Sequence, residues 1–143
     1  MKRRTFFAAA IAALLAGCAT SGARHAEMKT ALAPPKPGEG RVYFYRAASP
    51  FGAAVQPEIK LNGTVVGSST PGGFFYVDRP AGTYEAHAAT EVDRMVSFAL
   101  APGETKYIRT SPSFGVLIGR INFELVNAAE AEAEMASLHY TGS

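Results

Sequence analysis

The pattern of hydrophobic and polar residues divides the chain into three parts. An apolar run covers residues 6–16, and residues 19–40 show neither helix nor strand periodicity. From residue 41 onward, short apolar and aromatic runs alternate with turn residues, with a spacing of roughly eight to twelve positions. Such runs, rich in β-branched and aromatic side chains, are typical of an all-β domain. We therefore expect one folded domain over residues 41–138.

Eight strands are predicted in this domain. They cover residues 41–46, 55–62, 64–69, 74–78, 83–89, 95–101, 104–110 and 115–126. The Asn62-Gly63 pair between the second and third is a strong hairpin signal, because both residues tolerate positive φ. In the last run Ile121, Phe123 and Leu125 alternate with polar residues, which indicates one buried and one wet face. The sequence thus predicts a single antiparallel β-sandwich, or a small barrel, of seven or eight short strands.

A short helix is predicted after the last strand. Asn127 is a candidate N-cap, and Glu130 three residues later fits the pattern of a capping box. Ala131, Met135 and Leu138 fall on one face of a helix of about ten residues. We expect this face to dock on the sandwich.

The first seventeen residues have the organisation of a signal peptide. Lys2, Arg3 and Arg4 precede the apolar run of residues 6–16. As a helix this run would be about 16 Å long, about half the thickness of the hydrocarbon core of a bilayer. It is therefore interpreted as the hydrophobic region of a signal peptide and not as a transmembrane helix.

The end of this segment resembles the lipobox of bacterial lipoproteins. Leu15, Ala16 and Gly17 precede Cys18, the only cysteine in the chain. The resemblance implies cleavage before Cys18, a diacylglyceryl group on its thiol and membrane anchoring through two or three acyl chains. Ala19 occupies the position where Asp commonly signals inner-membrane retention, which implies an outer-membrane lipoprotein facing the periplasm. The alternatives are an ordinary signal peptide with a chance cysteine, or a buried free thiol.

Residues 18–40 are predicted to be a flexible tether between the anchor and the domain. The segment lacks apolar periodicity and ends in the proline-rich stretch 34–38. His25 lies within it and is expected to be solvated.

The charge balance changes once the signal peptide is removed. The full chain carries 14 Lys and Arg against 12 Asp and Glu, and three of the basic residues lie in residues 1–17. The mature chain would keep 11 basic residues against 12 acidic ones, a net charge of −1. Nucleic-acid binding requires a basic surface, so it is excluded.

The sequence singles out no catalytic constellation and no cofactor. Cys18 would be consumed by the lipid, and no nucleophile-elbow motif surrounds a serine. Glu85 and His87 could offer two metal ligands from one strand, but the remaining ligands would have to come from elsewhere. A solvated surface histidine is the plainer interpretation of His87. We expect no catalytic residue and no metal site.

Two predicted strands carry large side chains on both faces. Tyr43 and Tyr45 share one face of the first strand, and Phe74 and Tyr76 share one face of the fourth. They are either central strands covered by the C-terminal helix or the 47–54 loop, or they form an exposed aromatic patch. Such a patch would suit an envelope protein or a glycan, since aromatic rings supply area and hydroxyls supply hydrogen bonds.

Several stretches resemble a known family. They are VYFYRAASPFG (42–52), EIKLNGTVVG (58–67), GFFYVDRPAGTYEAHA (73–88), LAPGETKYIRT (100–110) and GRINFELVNAAEAEAEM (119–135). With the lipobox, they resemble the domain of unknown function 2846 family of bacterial lipoproteins, and PAGTYEA is also similar to the turn of PEGA-type β-sandwich modules. The resemblance implies an exported, lipid-anchored β-sandwich and supplies no activity.

The sequence therefore favours a lipid-anchored, non-catalytic envelope module that binds or scaffolds an unidentified partner. The alternative is an envelope enzyme, or a carrier of a small ligand or metal, whose site is assembled from scattered residues.

Overall fold

The computed structural model describes residues 22–117 and 119–142, which form a two-layer β-structure with two short helices. The lipobox residues Leu15, Ala16, Gly17 and Cys18 lie outside the described residues. In chain order the elements are α1 (His25–Met28), β1 (Glu39–Tyr45), β2 (Glu58–Leu61), β3 (Thr64–Ser68), β4 (Gly73–Pro80), β5 (Gly82–Ala88), β6 (Arg94–Leu100), β7 (Thr105–Ser113), β8 (Arg120–Val126), α2 (Ala128–Met135) and β9 (His139–Tyr140). No helix among the described residues is both long enough and apolar enough to cross a membrane.

The strands form two sheets, which confirms the predicted all-β sandwich. One sheet has the order β8-β7-β1-β4-β9, and the other has the order β3-β2-β5-β6. The four-stranded sheet is antiparallel throughout. The five-stranded sheet is mixed, because β1 runs parallel to β7 and β4 runs parallel to β9. Alternation along a strand shows which face is buried but not which strands are neighbours, so the sequence could not reveal the parallel pairs.

The core between the sheets consists of inward-facing apolar side chains. Its buried members are Val42, Phe44, Ile59, Leu61, Phe75, Ala86, Phe98, Leu100 and Ile108. The predicted hairpin is present, since φ is +47° at Asn62 and +82° at Gly63. The predicted inward face of the last strand holds for the buried Ile121. Leu125 on the same face is exposed, because β8 is an edge strand.

Helix α2 docks on the outer face of the five-stranded sheet, as predicted. The Asn127 side chain caps it, with Oδ1 accepting a hydrogen bond from the Glu130 amide at 2.9 Å. Ala131, Met135 and Leu138 are buried against the sheet. The helix has eight residues, slightly fewer than predicted.

The aromatic side chains on this outer face are covered. Tyr43, Tyr45 and Phe74 are 6%, 2% and 1% exposed, beneath α2 and the segment before β1, whereas Tyr76 is half-buried. Burial raises the pKa of Tyr45 to about 12. The interpretation of Tyr43, Tyr45 and Phe74 as an exposed partner-binding patch is therefore wrong, because the C-terminal helix already covers them, and Tyr76 alone keeps partial exposure.

The part of the predicted tether that the structure describes, residues 22–40, lies against the same sheet through α1. His25 is 3% exposed, and its ring makes edge contacts with Tyr43 and Phe74 at centroid distances of 5.5 and 5.2 Å. The prediction of a solvated His25 is wrong. A four-residue helix is too short to show periodicity, and most of its partners are distant in sequence.

Candidate functional site

Four loops meet at one end of the sandwich. The cross-strand pairs Tyr45–Phe74, Tyr45–Arg109 and Ser113–Arg120 place the end of β1, the start of β4 and the β7–β8 turn at this end. We call the loops there, residues 47–57, 69–72, 89–93 and 114–117, the apolar end. Three of the four loops, all but 89–93, contain no Asp, Glu, Lys, Arg or His.

Large apolar side chains project into solvent from the β7–β8 turn. Phe114, Val116 and Leu117 are 84%, 83% and 87% exposed. The sequence predicted that the last strand covers residues 115–126, which includes Val116 and Leu117. The start of this prediction is wrong, since β8 begins only at Arg120. The Phe114 ring meets the half-exposed Phe51 ring edge to face, at a centroid distance of 4.9 Å. The two apolar loops therefore form one continuous surface.

A cleft of about 500 Å³ opens beside this surface. Its lining is mostly apolar and comes from three loops: Ala54, Val55, Gln56, Pro57, Ala89, Thr90 and Leu117. Clefts of a few hundred cubic ångströms with apolar walls and a few polar groups are typical of small-ligand sites. Leu117 belongs both to the exposed surface and to the wall of the cleft.

The loop 47–57 is held by the buried arginine that precedes it in the chain. Arg46 is 2% exposed, and its guanidinium donates to the carbonyl oxygens of Val55 at 2.6 Å, Gly52 at 2.7 Å and Ser69 at 3.2 Å. Desolvation lowers the pKa of Arg46. The guanidinium carries enough N–H donors to bind several carbonyls at once, so it holds this loop at Gly52 and Val55 and links it to Ser69 in the neighbouring loop.

The apolar β7–β8 turn is held by a carboxylate. Glu91, in the loop between β5 and β6, accepts hydrogen bonds from the amides of Val116 at 2.6 Å and Leu117 at 3.1 Å. Sequence reasoning missed both Arg46 and Glu91. The signal that could have found Arg46 is a single charged residue bordering a long uncharged loop, whereas Glu91 lies in a short charged loop that gives no such signal.

A second cleft, of about 470 Å³, lies on the five-stranded sheet around Arg41. Arg41 donates to both Asp78 carboxylate oxygens, at 2.7 and 3.0 Å, and to the Ala33 carbonyl at 2.7 Å, and it stacks over the Tyr76 ring. The bond to Asp78 raises the pKa of Arg41. These bonds join β1 to β4 through Asp78 and hold the N-terminal segment to the sheet at Ala33, so we interpret this cleft as a structural junction.

The structure does not assemble the metal ligands considered from sequence. The His87 Nε2 atom lies 3.7 Å from a carboxylate oxygen of Asp93. Within residues 22–117 and 119–142 there is no group of three His, Cys, Asp or Glu side chains that could hold a metal ion.

Comparison with known proteins shows one family. The family model described as "Protein of unknown function (DUF2846)" matches residues 36–120, more than half of the chain. An uncharacterized protein of Haemophilus influenzae is 26% identical over 133 residues, which cover 90% of this chain and 79% of the relative. No solved structure matches the chain. The chain therefore belongs to the DUF2846 family, whose function is unknown.

Proposed function

We propose that this protein is a lipid-anchored, non-catalytic binding module of the cell envelope, and that the apolar end is its binding surface. The anchor rests on the lipobox resemblance of Leu15, Ala16, Gly17 and Cys18. We infer an outer-membrane location facing the periplasm from Ala19, which stands where Asp commonly signals inner-membrane retention.

The observation that carries the binding role is the exposure of Phe114, Val116 and Leu117 on a turn held by Glu91. Burying one such side chain stabilises a complex by about 1.5–3 kcal/mol. Leaving three of them in water, on a loop fixed by hydrogen bonds, is expected of a surface that meets an apolar partner. These hydrocarbon groups have no atom that could transfer a proton or act as a nucleophile.

The anchor is tested by growing cells with an alkyne-bearing fatty acid. The wild-type protein should incorporate the label and fractionate with membranes, and Cys18→Ser should lose the label. Thr20→Ser is a matched control two residues away and should keep it. An unlabelled wild-type protein would contradict the anchor.

The binding surface is tested by placing a photocrosslinking amino acid at Leu117 and, as a control, at Ala101. Both positions are exposed, and Ala101 lies in the β6–β7 turn at the opposite end of the sandwich. We expect crosslinks to the binding partner from position 117 and not from position 101. Equal yields at both positions would contradict the assignment of the apolar end.

A second candidate function, carriage of a small apolar ligand, is favoured by the cleft of about 500 Å³. A fluorescent fatty acid should bind to the wild-type protein. It should bind more weakly to the Ala89→Trp variant, because the indole would fill the cleft. Thr83→Trp, at an exposed position near the other end of β5, is the control. Equal binding by both variants would contradict a ligand in this cleft.

A further inference from the structure

We propose that the apolar end rests in the interfacial region of the bilayer that holds the Cys18 anchor, with Phe114, Val116 and Leu117 inserted among the lipids. This inference rests on the proposed function, since it takes the lipid on Cys18 as given. It adds the partner, a lipid surface, and with it the orientation of the whole domain.

The first step is the position at which the N-terminal segment joins the sandwich. The Tyr140 amide donates to the Ala23 carbonyl at 2.9 Å, and the carbonyl of Gly22 lies 2.8 Å from His139 Nδ1. Tyr140 pairs with Phe74, the second residue of β4. The chain therefore enters near the end of the sheet where β4 starts, which is the apolar end.

The second step is the distance from this row of residues to the exposed turn. Phe74 pairs with Tyr45, and Tyr45 pairs with Arg109 on β7. Strand β7 continues for four more residues to Ser113, which corresponds to about 13 Å at about 3.3 Å per residue. The turn that carries Phe114 follows directly.

The third step is the reach of the anchor. Cys18 precedes Gly22 by four residues, and four residues span at most about 14 Å. A lipid on Cys18 thus keeps the domain within about 14 Å of the bilayer, which matches the distance from the entry row to the turn. The β7–β8 turn lies to one side of β9, where the N-terminal segment joins the sheet. Both can still meet the same bilayer, because its surface is planar.

The chemistry of the two ends agrees with this orientation. The loops 47–57, 69–72 and 114–117 carry no charge, and the fourth loop, 89–93, carries Glu91 and Asp93. The Glu91 carboxylate already accepts hydrogen bonds from the Val116 and Leu117 amides, which replace part of its hydration at the proposed interface. The opposite end carries Lys36, Glu39 and Glu104, which would face water. Side chains that are 83–87% exposed suit a fluid lipid interface, which needs no shape complementarity.

The test uses the full, lipidated protein in vesicles of phosphatidylethanolamine and phosphatidylglycerol. Acylation blocks Cys18, the only cysteine, so a cysteine introduced at Leu117 can be labelled uniquely with an environment-sensitive NBD fluorophore. Ala101→Cys at the opposite end is the matched control. Intact mass gives the acylation state, and circular dichroism checks that each variant is folded.

In vesicles, the probe in Leu117→Cys should shift its emission to the blue and lose most of its intensity when lipids carrying a doxyl quencher are included. The probe in Ala101→Cys should do neither. An acylated protein whose probe at 117 stays in water would overturn the inference and leave the anchor intact. A blue shift without quenching would also overturn it, because a protein partner or a second copy would then cover the turn. A chain without acyl groups would overturn the proposed function and this inference together.

Discussion

The Glu91 carboxylate accepts a hydrogen bond from the Val116 amide at 2.6 Å, which joins the loop after β5 to the apolar turn after β7. Its second oxygen accepts from the next amide along the turn, at 3.1 Å. One charged side chain therefore holds the backbone from which the most exposed apolar residues project. The conformation of the proposed membrane contact depends on this carboxylate.

Replacing Glu91 by Gln should loosen the turn without destabilising the domain. The new amide keeps one acceptor oxygen, but its NH₂ group faces a backbone N–H that it cannot accept from. Hydrogen exchange measured by mass spectrometry should show faster exchange over residues 114–117, with the free energy of unfolding changed by less than about 0.5 kcal/mol. Glu58→Gln, on the exposed start of β2, is the control and should leave hydrogen exchange over residues 114–117 unchanged. Unaltered protection in Glu91→Gln would show that the carboxylate does not hold the turn.

Arg46→Met should destabilise the protein strongly. Methionine fills part of the buried volume but leaves the carbonyls of Gly52, Val55 and Ser69 without the guanidinium. Unpaired buried acceptors are costly, and we expect a loss of about 3 kcal/mol in urea unfolding. Arg79→Met on the half-buried part of β4 should cost under about 1 kcal/mol. Equal losses in the two variants would contradict the special role of Arg46.

The sequence predicted the covered interior of the sandwich better than its apolar end. Residues 115–118 form an apolar run that continues into an alternating strand, and periodicity alone assigns such a run to the strand. The structure ends β7 at Ser113 and restarts at Arg120, with φ of +83° at Gly119. Whether an apolar run is buried depends on what faces it, and that is a property of the tertiary structure.

The C-terminal helix shows the opposite case, where local chemistry sufficed. Asn127 and Glu130 lie three residues apart, and a side-chain oxygen at the first position reaches the amide of the second in any helix that starts there. His25 could not be predicted in this way. Its contacts with Tyr43 and Phe74 depend on how the N-terminal segment lies on the sheet, which no local pattern records.

Asn127→Ala should cost about 1 kcal/mol of unfolding free energy, because the Glu130 amide loses its acceptor. Asn127→Asp should keep the cap, since a carboxylate accepts the same hydrogen bond and is favoured at a helix N-terminus. The free energies of unfolding of the wild type and of these two variants are compared by urea unfolding. If Ala and Asp at this position gave the same stability, the helix would not depend on its cap.

Acidification should weaken the protein through His25. Burial is the main cause that lowers the pKa of His25 below its ordinary value of 6.5; Glu132 opposes this effect and Lys29 adds to it. The folded state then binds fewer protons than the unfolded state just below pH 6.5, so stability is present above that pH and is lost as the pH falls toward the lowered pKa. Urea unfolding at pH 7.5 and 5.5 should show a larger loss for the wild type than for His25→Leu. His87→Gln, on the inner strand β5 of the four-stranded sheet, is the control and should lose as much stability as the wild type. If His25→Leu lost as much stability as the wild type on acidification, the docking of α1 would not be the pH-sensitive contact, and the carboxylates elsewhere in the domain would account for the whole effect.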